Sequence, residues 1–391
     1  MPKISVFPFN SLLLTSYSTN LYIVNNTHRE MLSWLRGVRN LLPELDALES
    51  RVTLVLGNMA CDLDSGVSSL VLAFHRASTS HRQRMVIPVM NIPRQDFILK
   101  TELVTALEEE GITEDLLVFR DDFYFSCIPD LQLILVDHNV ISDQDKRYED
   151  KIVEIIDHHV RETQGDNSII EPVGSCSSLV LRQIWKETPE FKDETCLRLV
   201  HETILVDTVA LSPEAKKVTP LDTEMVEKCE AILGTGKSRD EIYRHLDNEK
   251  RRVDHLNVKQ LLRRDFKTFE SKKFGTICVC SVPMLAKDWV ELPGVERHVK
   301  SFQEDEGFFR GVLVLGSSFQ GSVPQRDMIL ANFKWNSDIY PVITYALENS
   351  SDPPLQLEKM YLQGLDNFTG YNQGNIGASR KQILPILKNA L

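Results

Sequence analysis

Apolar runs that stop at acidic residues are the feature of this sequence that most restricts its fold. Each run is short and rich in Val, Ile and Leu, which is typical of a buried strand. We therefore read each run as a strand that ends at an acid. The runs are RVTLVL (51–56) before Asp62 and Asp64, LQLILV (131–136) before Asp137, IVEII (152–156) before Asp157, and TILV (203–206) before Asp207.

Segments with helical spacing of apolar residues separate these runs. Alternation of strands and helices predicts an α/β domain with a doubly wound, mostly parallel sheet and helices on both faces. The helical segments are residues 28–42, 65–78, 99–111, 177–187 and 193–207, and a further strand-like run occupies 84–90.

The acids at the strand ends are expected to meet. In an open α/β sheet the C-terminal ends of parallel strands share one edge, where ligands bind. Several carboxylates in one crevice would repel one another and take up protons unless cations neutralised them. Carboxylates with one or two imidazoles suit Mg²⁺ or Mn²⁺, and a bridging Asp holds two ions about 3.5–4 Å apart. The sequence therefore predicts two divalent metal ions at this edge.

Each of these residues also has an ordinary structural interpretation. Asp62 alone reads as a helix N-cap, Asp137 as a strand-end turn residue and His138 as a buried structural histidine. Their joint occurrence after apolar runs favours the metal site over coincidence.

Composition narrows the choice of partners. The formal net charge of −12 argues against nucleic acid or an anionic membrane as a partner. No apolar run approaches the roughly 20 residues of a membrane span. The seven cysteines form no C-x-x-C pair, which favours a reducing compartment. We expect a cytoplasmic protein, with mitochondrial import as an alternative because residues 1–28 contain no acid.

A segment rich in Gly and charge, LGTGKSRDE at 233–241, predicts a domain boundary near residue 235. A basic stretch, 249–270, follows it, and the remainder mixes strands and helices. We expect an N-terminal extension and helix at 1–45, a metal-binding catalytic domain at 46–235 and a smaller α/β substrate-binding domain at 236–391.

Several short motifs, in order, resemble those of one superfamily. They are G-N-x-x-x-D-x-D-S (57–65), L-V-D-H (135–138), I-D-H-H (156–159), G-S-C-S-S (174–178), L-x-D-T (205–208) and GASRKQILP (377–385). The set resembles the DHH phosphoesterase superfamily with a C-terminal DHHA2 domain. That pairing is found in family II inorganic pyrophosphatases, yeast-type exopolyphosphatases and animal prune proteins.

The resemblance implies roles for individual residues, with the active site in a cleft between the two domains. The implied metal ligands are Asp62, Asp64, Asp137, His158 and Asp207. The implied catalytic or phosphate-contacting residues are His159, Asn58 and His138. The second domain would hold the terminal phosphates through Lys267, Ser379, Arg380 and Lys381.

Asn58 separates this chain from the dedicated pyrophosphatases. Family II pyrophosphatases place His at that position, whereas the exopolyphosphatase and prune branch resembles this chain. The resemblance thus implies a metal-dependent exopolyphosphatase that hydrolyses the terminal phosphate of short inorganic polyphosphate with a metal-bound water. The alternatives are a prune-type cyclic-nucleotide phosphodiesterase, a pyrophosphatase, or a signalling scaffold whose protein partners matter more than turnover.

Overall fold

A computed structural model describes residues 27–48, 51–79, 84–163, 167–234, 236–307, 309–318, 324–333 and 338–391. The question of an N-terminal targeting segment falls on residues outside these ranges. Contacts divide the chain into two compact units, the first ending at Lys250 and the second running from Arg251 to Leu391.

The first unit contains a five-stranded, entirely parallel sheet. Its strand order is β2-β1-β3-β4-β5. The strands read from the apolar runs at 51–56, 84–90, 131–136 and 152–156 are confirmed, and the short β5 is an addition. The strands are β1 (Arg51–Leu56), β2 (Arg84–Val89), β3 (Leu131–Val136), β4 (Ile152–Asp157) and β5 (Ser168–Ile170).

Helices cover one face of this sheet, and short 3₁₀ turns together with part of the first helix cover the other. The α-helices are α1 (Thr27–Leu41), α2 (Leu63–Thr79), α3 (Thr101–Glu109), α4 (Cys176–Glu187), α5 (Glu194–Asp207), α6 (Pro220–Leu233) and α7 (Arg239–Arg251). The 3₁₀ turns are Leu42–Ala47, Arg94–Leu99, Glu114–Leu116, Phe125–Cys127, Asp143–Lys151 and Pro213–Ala215.

The interpretation of TILV (203–206) as a strand is wrong. These residues form the last turn of α5, and Asp207 is the final residue of that helix. The run is apolar because α5 packs in the helical layer, where Thr203, Ile204 and Leu205 are fully buried. Helical spacing over 193–207 was therefore the better guide than the short apolar run.

Strand order reverses between β1 and β3, where the chain moves from one side of β1 to the other. In doubly wound sheets the crevice at such a reversal is where ligands bind. The loops that carry Asp62 and Asp137 leave from these two strands, so the topology alone brings them together.

The helix α7 packs with the first unit, so the division between units lies further along the chain than the break near residue 235. His245 Nε2 lies 2.6 Å from Glu109 Oε1, and Thr101 Oγ1 donates to the Glu249 carbonyl at 2.5 Å. Lys250 Nζ lies 3.5 Å from Glu102 Oε1. These contacts hold α7 against α3.

The second unit has a six-stranded mixed sheet of order β10-β11-β9-β8-β7-β6, in which β7 and β8 are parallel and the other pairs antiparallel. Its strands are β6 (Phe266–Ser271), β7 (Gly275–Val282), β8 (Gly311–Ser318), β9 (Gln325–Ala331), β10 (Leu357–Met360) and β11 (Phe368–Gln373). Its helices are α8 (Val258–Arg264), α9 (Ala286–Trp289), α10 (Val295–Asp305), α11 (Tyr340–Glu348) and α12 (Arg380–Ala390).

The two units together confirm the predicted α/β class, with a parallel sheet followed by a second, mixed sheet. Helices on both faces of the first sheet were predicted, but 3₁₀ turns and part of α1 take the place of full helices on one of them. Among the described residues, no helix is both long enough and apolar enough to cross a membrane.

A largely buried carboxylate on α5 makes the first unit sensitive to pH. Burial, followed by the charges of Glu109 and Glu110, raises the pKa of Glu202 from 4.5 to about 7. A raised folded-state pKa contributes stability that is complete below about pH 4.5 and is lost as the pH rises through 7.

The variant Glu202→Gln should therefore become more stable than the parent as the pH rises from 4.5 to above 7. The difference in the free energy of unfolding between variant and parent should grow by up to about 3 kcal/mol, because each unit of pKa shift corresponds to about 1.4 kcal/mol. Chemical denaturation at several pH values measures it. Glu227→Gln, at an exposed carboxylate on α6, is the control for the loss of one acidic charge. A pH-independent gap for Glu202→Gln would contradict the assignment.

Candidate metal centre

Asp62 and Asp64 lie where the chain passes from β1 to α2. Asp62 Oδ1 accepts a hydrogen bond from the Ser65 N–H at 3.2 Å, so it does cap α2 as its ordinary interpretation suggests. Asp64 lies in the first turn, and its two oxygens accept from the start of α4. The Cys176 N–H donates at 2.6 Å and the Ser177 N–H at 2.9 Å. The positive end of the α4 dipole thus stabilises the Asp64 carboxylate.

Asp137 follows β3 in a left-handed conformation, with φ of 61°. Its Oδ2 accepts from Ser65 Oγ at 2.6 Å and from Asn58 Nδ2 at 2.9 Å. Its Oδ1 lies 3.1 Å from His158 Nε2. One oxygen is therefore held by neutral donors from the β1–α2 loop and the first turn of α2, while the other faces the imidazoles.

The orientation of His158 is that of a metal-binding imidazole. Its Nδ1 lies 3.0 Å from the Val173 carbonyl, which only accepts, so Nδ1 carries the hydrogen. Nε2 then faces Asp137 Oδ1 at 3.1 Å and Asp64 Oδ2 at 3.9 Å. Metal-ligating histidines usually donate their other ring N–H to a carbonyl or carboxylate in this way.

His159 is held by the acid that precedes the histidine pair. Its Nδ1 lies 2.8 Å from Asp157 Oδ1, and Asp157 is fully buried. Asp157 Oδ2 accepts from Asn139 Nδ2 at 2.5 Å. Asp157 therefore orients His159, whose side chain is 57% exposed.

Asp207 contributes a carboxylate with one unpartnered oxygen to the cluster. Its Oδ2 is buried and has no hydrogen-bond partner among the residues that the structure describes. Burial, followed by the charge of Asp64, raises its pKa well above the usual range. Its place at the C-terminal end of α5 adds the negative end of the helix dipole.

The neighbouring groups show the same electrostatic conflict. Burial and the charge of Asp64 raise the pKa of Asp62, and they raise that of Asp137 to about 6. Burial lowers the pKa of His158, but the hydrogen bond to Asp137 and the charge of Asp64 outweigh it and raise the pKa to about 10. A cation in this position would relieve all of these shifts at once.

The donor set fits a divalent cation. Ligand atoms of Asp137, His158 and His159 lie within 4.8 Å of one another. The unpartnered Asp207 Oδ2 supplies a further oxygen donor, and Asp62 and Asp64 line the same pocket. Mixed carboxylate and imidazole donors suit Mg²⁺ or Mn²⁺.

The pocket has a volume of about 590 Å³ and contains two lysines that the motif analysis missed. The signal was the pair Lys216-Lys217, which follows an L-x-D-T motif by a few residues. The pocket is lined by Asn58, Asp62, Asp64, Asp137, His158, His159, Pro172, Val173, Gly174, Asp207, Lys216, Lys217, Val218 and Thr219. The two lysines and the acid cluster therefore line the same pocket of the first unit.

A strained turn carries the chain from Asp207 towards the lysines. Val209, Ala210 and Leu211 have φ values of 54°, 55° and 62°, and Lys216 has a φ of 54°. Left-handed backbone costs L-residues about 1–2 kcal/mol each. Such strain is typically retained at functional sites, where surrounding contacts hold it.

Two predicted site residues, His138 and Asn58, have contacts that do not suit a metal ligand. His138 Nδ1 lies 2.9 Å from the Val136 carbonyl, and the side chain is not among those lining the pocket. Asn58 lines the pocket, but its Oδ1 already accepts from the Ala60 and Cys61 N–H groups at 2.8 and 3.1 Å. Asn58 thus supports Asp137 and offers no well-placed oxygen to a metal.

The predicted substrate-binding residues belong to the second unit. Lys267 is exposed on β6, and Lys381 is exposed in the first turn of α12. Arg380 Nη2 lies 2.6 Å from Asp265 Oδ1, and Ser379 forms a capping box with Gln382.

Part of the basic stretch at 249–270 is neutralised within the second unit. Lys259 pairs with Asp305, and Arg263 pairs with Glu306. The charges of these two residues are therefore offset by acids of the same unit.

Replacing Asp207 should separate metal binding from folding. Asp207→Asn removes a buried carboxylate with an unpartnered oxygen, so the chelator-treated variant should be more stable than the parent. Its affinity for Mn²⁺ should fall by about tenfold or more, as expected when a metal site is perturbed. Calorimetric titration with Mn²⁺ and thermal unfolding in chelator measure the two effects. Asp143→Asn, at an exposed acid, is the control. Unchanged Mn²⁺ affinity in Asp207→Asn would contradict its role as a ligand.

Comparison with known proteins places the chain in a family. The model of the DHH family, N-terminal domain, matches residues 52–219, and that of the DHHA2 domain matches 244–390. The chain is 33% identical to Exopolyphosphatase PRUNE1 of Homo sapiens over 367 residues, which cover 92% of this chain and 79% of that protein. It is 29% identical to a putative exopolyphosphatase of Schizosaccharomyces pombe over 378 residues, covering 90% and 95% of the two chains.

Among solved structures, a putative family II inorganic pyrophosphatase of Methanococcus jannaschii matches with 21% identity and a TM-score of 0.44, covering 86% of this chain and 99% of that one. The two domain models match in order along the chain, and the alignment with the human relative covers 92% of this chain. The chain therefore belongs to the DHH phosphoesterase superfamily, with a C-terminal DHHA2 domain, and within it to the exopolyphosphatase and prune branch.

Proposed function

We propose that this protein is a metal-dependent exopolyphosphatase that removes the terminal phosphate from short inorganic polyphosphate. The observation that carries the proposal is the pocket of the first unit, which places an acid and histidine cluster beside Lys216 and Lys217. The human relative bears the name exopolyphosphatase and the Schizosaccharomyces pombe relative the name putative exopolyphosphatase, which supports this choice among phosphate substrates.

The pocket combines the two kinds of charge that hydrolysis of a phosphoanhydride requires. When bound, divalent cations lower the pKa of a water molecule towards 7 and offset the charge of the phosphoryl oxygens. We propose Asp62, Asp64, Asp137, His158 and Asp207 as the residues that hold them.

The chain's own residues then bind and orient the phosphate. Lys216 and Lys217 are exposed at the pocket, where their charge opposes that of the phosphoryl oxygens. His159 donates Nδ1–H to Asp157, which leaves Nε2 as the nitrogen available to substrate. We propose that it contacts the phosphate and stabilises charge as the terminal bond breaks.

A substrate panel with Lys217→Ala tests the proposal. The parent should release phosphate from tri- and tetrapolyphosphate in the presence of Mg²⁺ or Mn²⁺, with little release from pyrophosphate or cyclic AMP and none in chelator. Lys217→Ala should raise the KM by about tenfold, because it removes a charge that contacts phosphate. Lys186→Ala, at an exposed lysine on α4, should leave the KM unchanged.

Other results of the panel have defined meanings. If pyrophosphate or cyclic AMP is hydrolysed faster than polyphosphate, that compound is the substrate and polyphosphate is not. Bound metal without turnover of any substrate would contradict the enzymatic proposal and favour the scaffold.

The proposal extends to the second unit, where Lys267, Ser379, Arg380 and Lys381 would bind further phosphates of the chain. Lys381→Ala should raise the KM for tetrapolyphosphate more than that for tripolyphosphate, because the longer chain offers more charge to bind. Lys388→Ala, at the other end of α12, is the matched control and should have no effect. Equal KM values for parent and Lys381→Ala would show that Lys381 does not bind the substrate.

A further inference from the structure

A single buried carboxylate outside the pocket joins the two loops that form its wall. Asp222, in the first turn of α6, is fully buried and does not line the pocket. Its Oδ2 accepts from the Gly174 N–H at 2.8 Å. The same oxygen accepts from the Thr219 N–H at 2.8 Å and from Thr219 Oγ1 at 2.7 Å. Both loops, 172–174 and 216–219, line the pocket.

The second oxygen of Asp222 binds the helix that supports the metal side. Ser178 Oγ donates to Oδ1 at 2.6 Å. Ser178 directly follows Cys176 and Ser177, whose N–H groups hold Asp64. The start of α4 is therefore bonded to Asp64 and to Asp222 within three consecutive residues.

These contacts exceed what helix capping requires. A capping box explains the bonds between Asp222 and Thr219 at the start of α6. It does not explain the bonds from Gly174 and Ser178, which come from other parts of the chain. Asp222 therefore has a role beyond capping the start of α6.

The two loops approach so closely that only glycine fits between them. A Cβ at Gly174 would lie 2.6 Å from Thr208 Cγ2, 2.8 Å from Asp222 Oδ2 and 2.9 Å from the Lys217 carbonyl oxygen. Backbone and buried groups cannot move aside easily, so the position of the lysine loop depends on this contact. Thr208 adjoins Asp207, which connects the same point to the acid cluster.

We propose that Asp222 is a positioning residue for the phosphate-binding wall, fixing Lys216 and Lys217 at a set distance from the acid cluster. This inference rests on the proposed function of the pocket. The ionised carboxylate only accepts hydrogen bonds, and its four donors are two N–H groups and two hydroxyls. An amide at this position offers one acceptor oxygen instead of two and carries no charge, so the bond at the other position is lost or reversed and the remaining bonds are weaker.

Asp222→Asn tests the inference by equilibrium binding, without reference to turnover. In the Mn²⁺-loaded protein, calorimetry with inorganic phosphate should show affinity weakened by about tenfold, a size typical when a supporting contact of a site is lost. Mn²⁺ affinity should change by less than about threefold, because Asp222 touches none of the proposed ligands. With polyphosphate, KM should rise more than kcat falls.

Asp193→Asn is the matched control. Asp193 is another buried aspartate that caps a helix, accepting from the Cys196 N–H at 2.8 Å at the start of α5. It does not line the pocket. The amide of Asp193→Asn keeps one acceptor oxygen for the cap, so this replacement should leave phosphate affinity unchanged. If Asp222→Asn does not fold, Ser178→Ala removes one of the four bonds and should weaken phosphate binding by about threefold.

The outcomes separate the inference from the proposed function. The inference is overturned if Asp222→Asn binds phosphate as tightly as the parent does. If Asp222→Asn does not fold, the same result for Ser178→Ala overturns it. Equal losses of phosphate and Mn²⁺ affinity also overturn it, because Asp222 would then support the whole fold of the pocket. A parent that binds phosphate but does not hydrolyse polyphosphate overturns the proposed function alone. A parent that binds no phosphate overturns both.

Discussion

The burial of several carboxylates side by side is the constraint on which the C-terminal edge of the first sheet depends. Burial, followed by the charge of Asp64, raises the pKa values of Asp137 and Asp207. A protein that used these acids only for structure would gain stability by replacing them with neutral residues. Their retention around unpartnered oxygen is understandable if divalent cations occupy the site.

The rest of the first unit holds this unfavourable arrangement in place. The start of α4 binds both oxygens of Asp64, Ser65 and Asn58 bind one oxygen of Asp137, and the Val173 carbonyl fixes the imidazole of His158. These supports are neutral donors and acceptors, and they leave Asp137 Oδ1 and His158 Nε2 available to a ligand. The supports thus orient the acids while the charge conflict remains for cations to resolve, as in other metal sites with ordered surroundings.

Much of this arrangement could be predicted from the sequence. Apolar runs gave the four longer strands of the first sheet, and the shared edge of parallel strands predicted that Asp62, Asp64 and Asp137 would meet. Asp207 shows the limit of that reasoning, because a short apolar run before an acid fits the end of a buried helix as well as a strand. Lys216 and Lys217 were missed because surface lysine pairs are common, and only the left-handed turn after α5 brings these two to the pocket. The hydrogen bonds of Asp222 depend on three distant segments, which no local pattern reveals.

The central claim is that the acid and histidine cluster is a divalent metal site. Anomalous X-ray diffraction from crystals grown with Mn²⁺ tests it most directly, because the signal locates the metal without reference to activity. Two anomalous peaks are expected about 3.5–4 Å apart, one or both next to Asp137 and His158 and one next to Asp207. Crystals with Mn²⁺ bound only at surface carboxylates, and none between these residues, would contradict it.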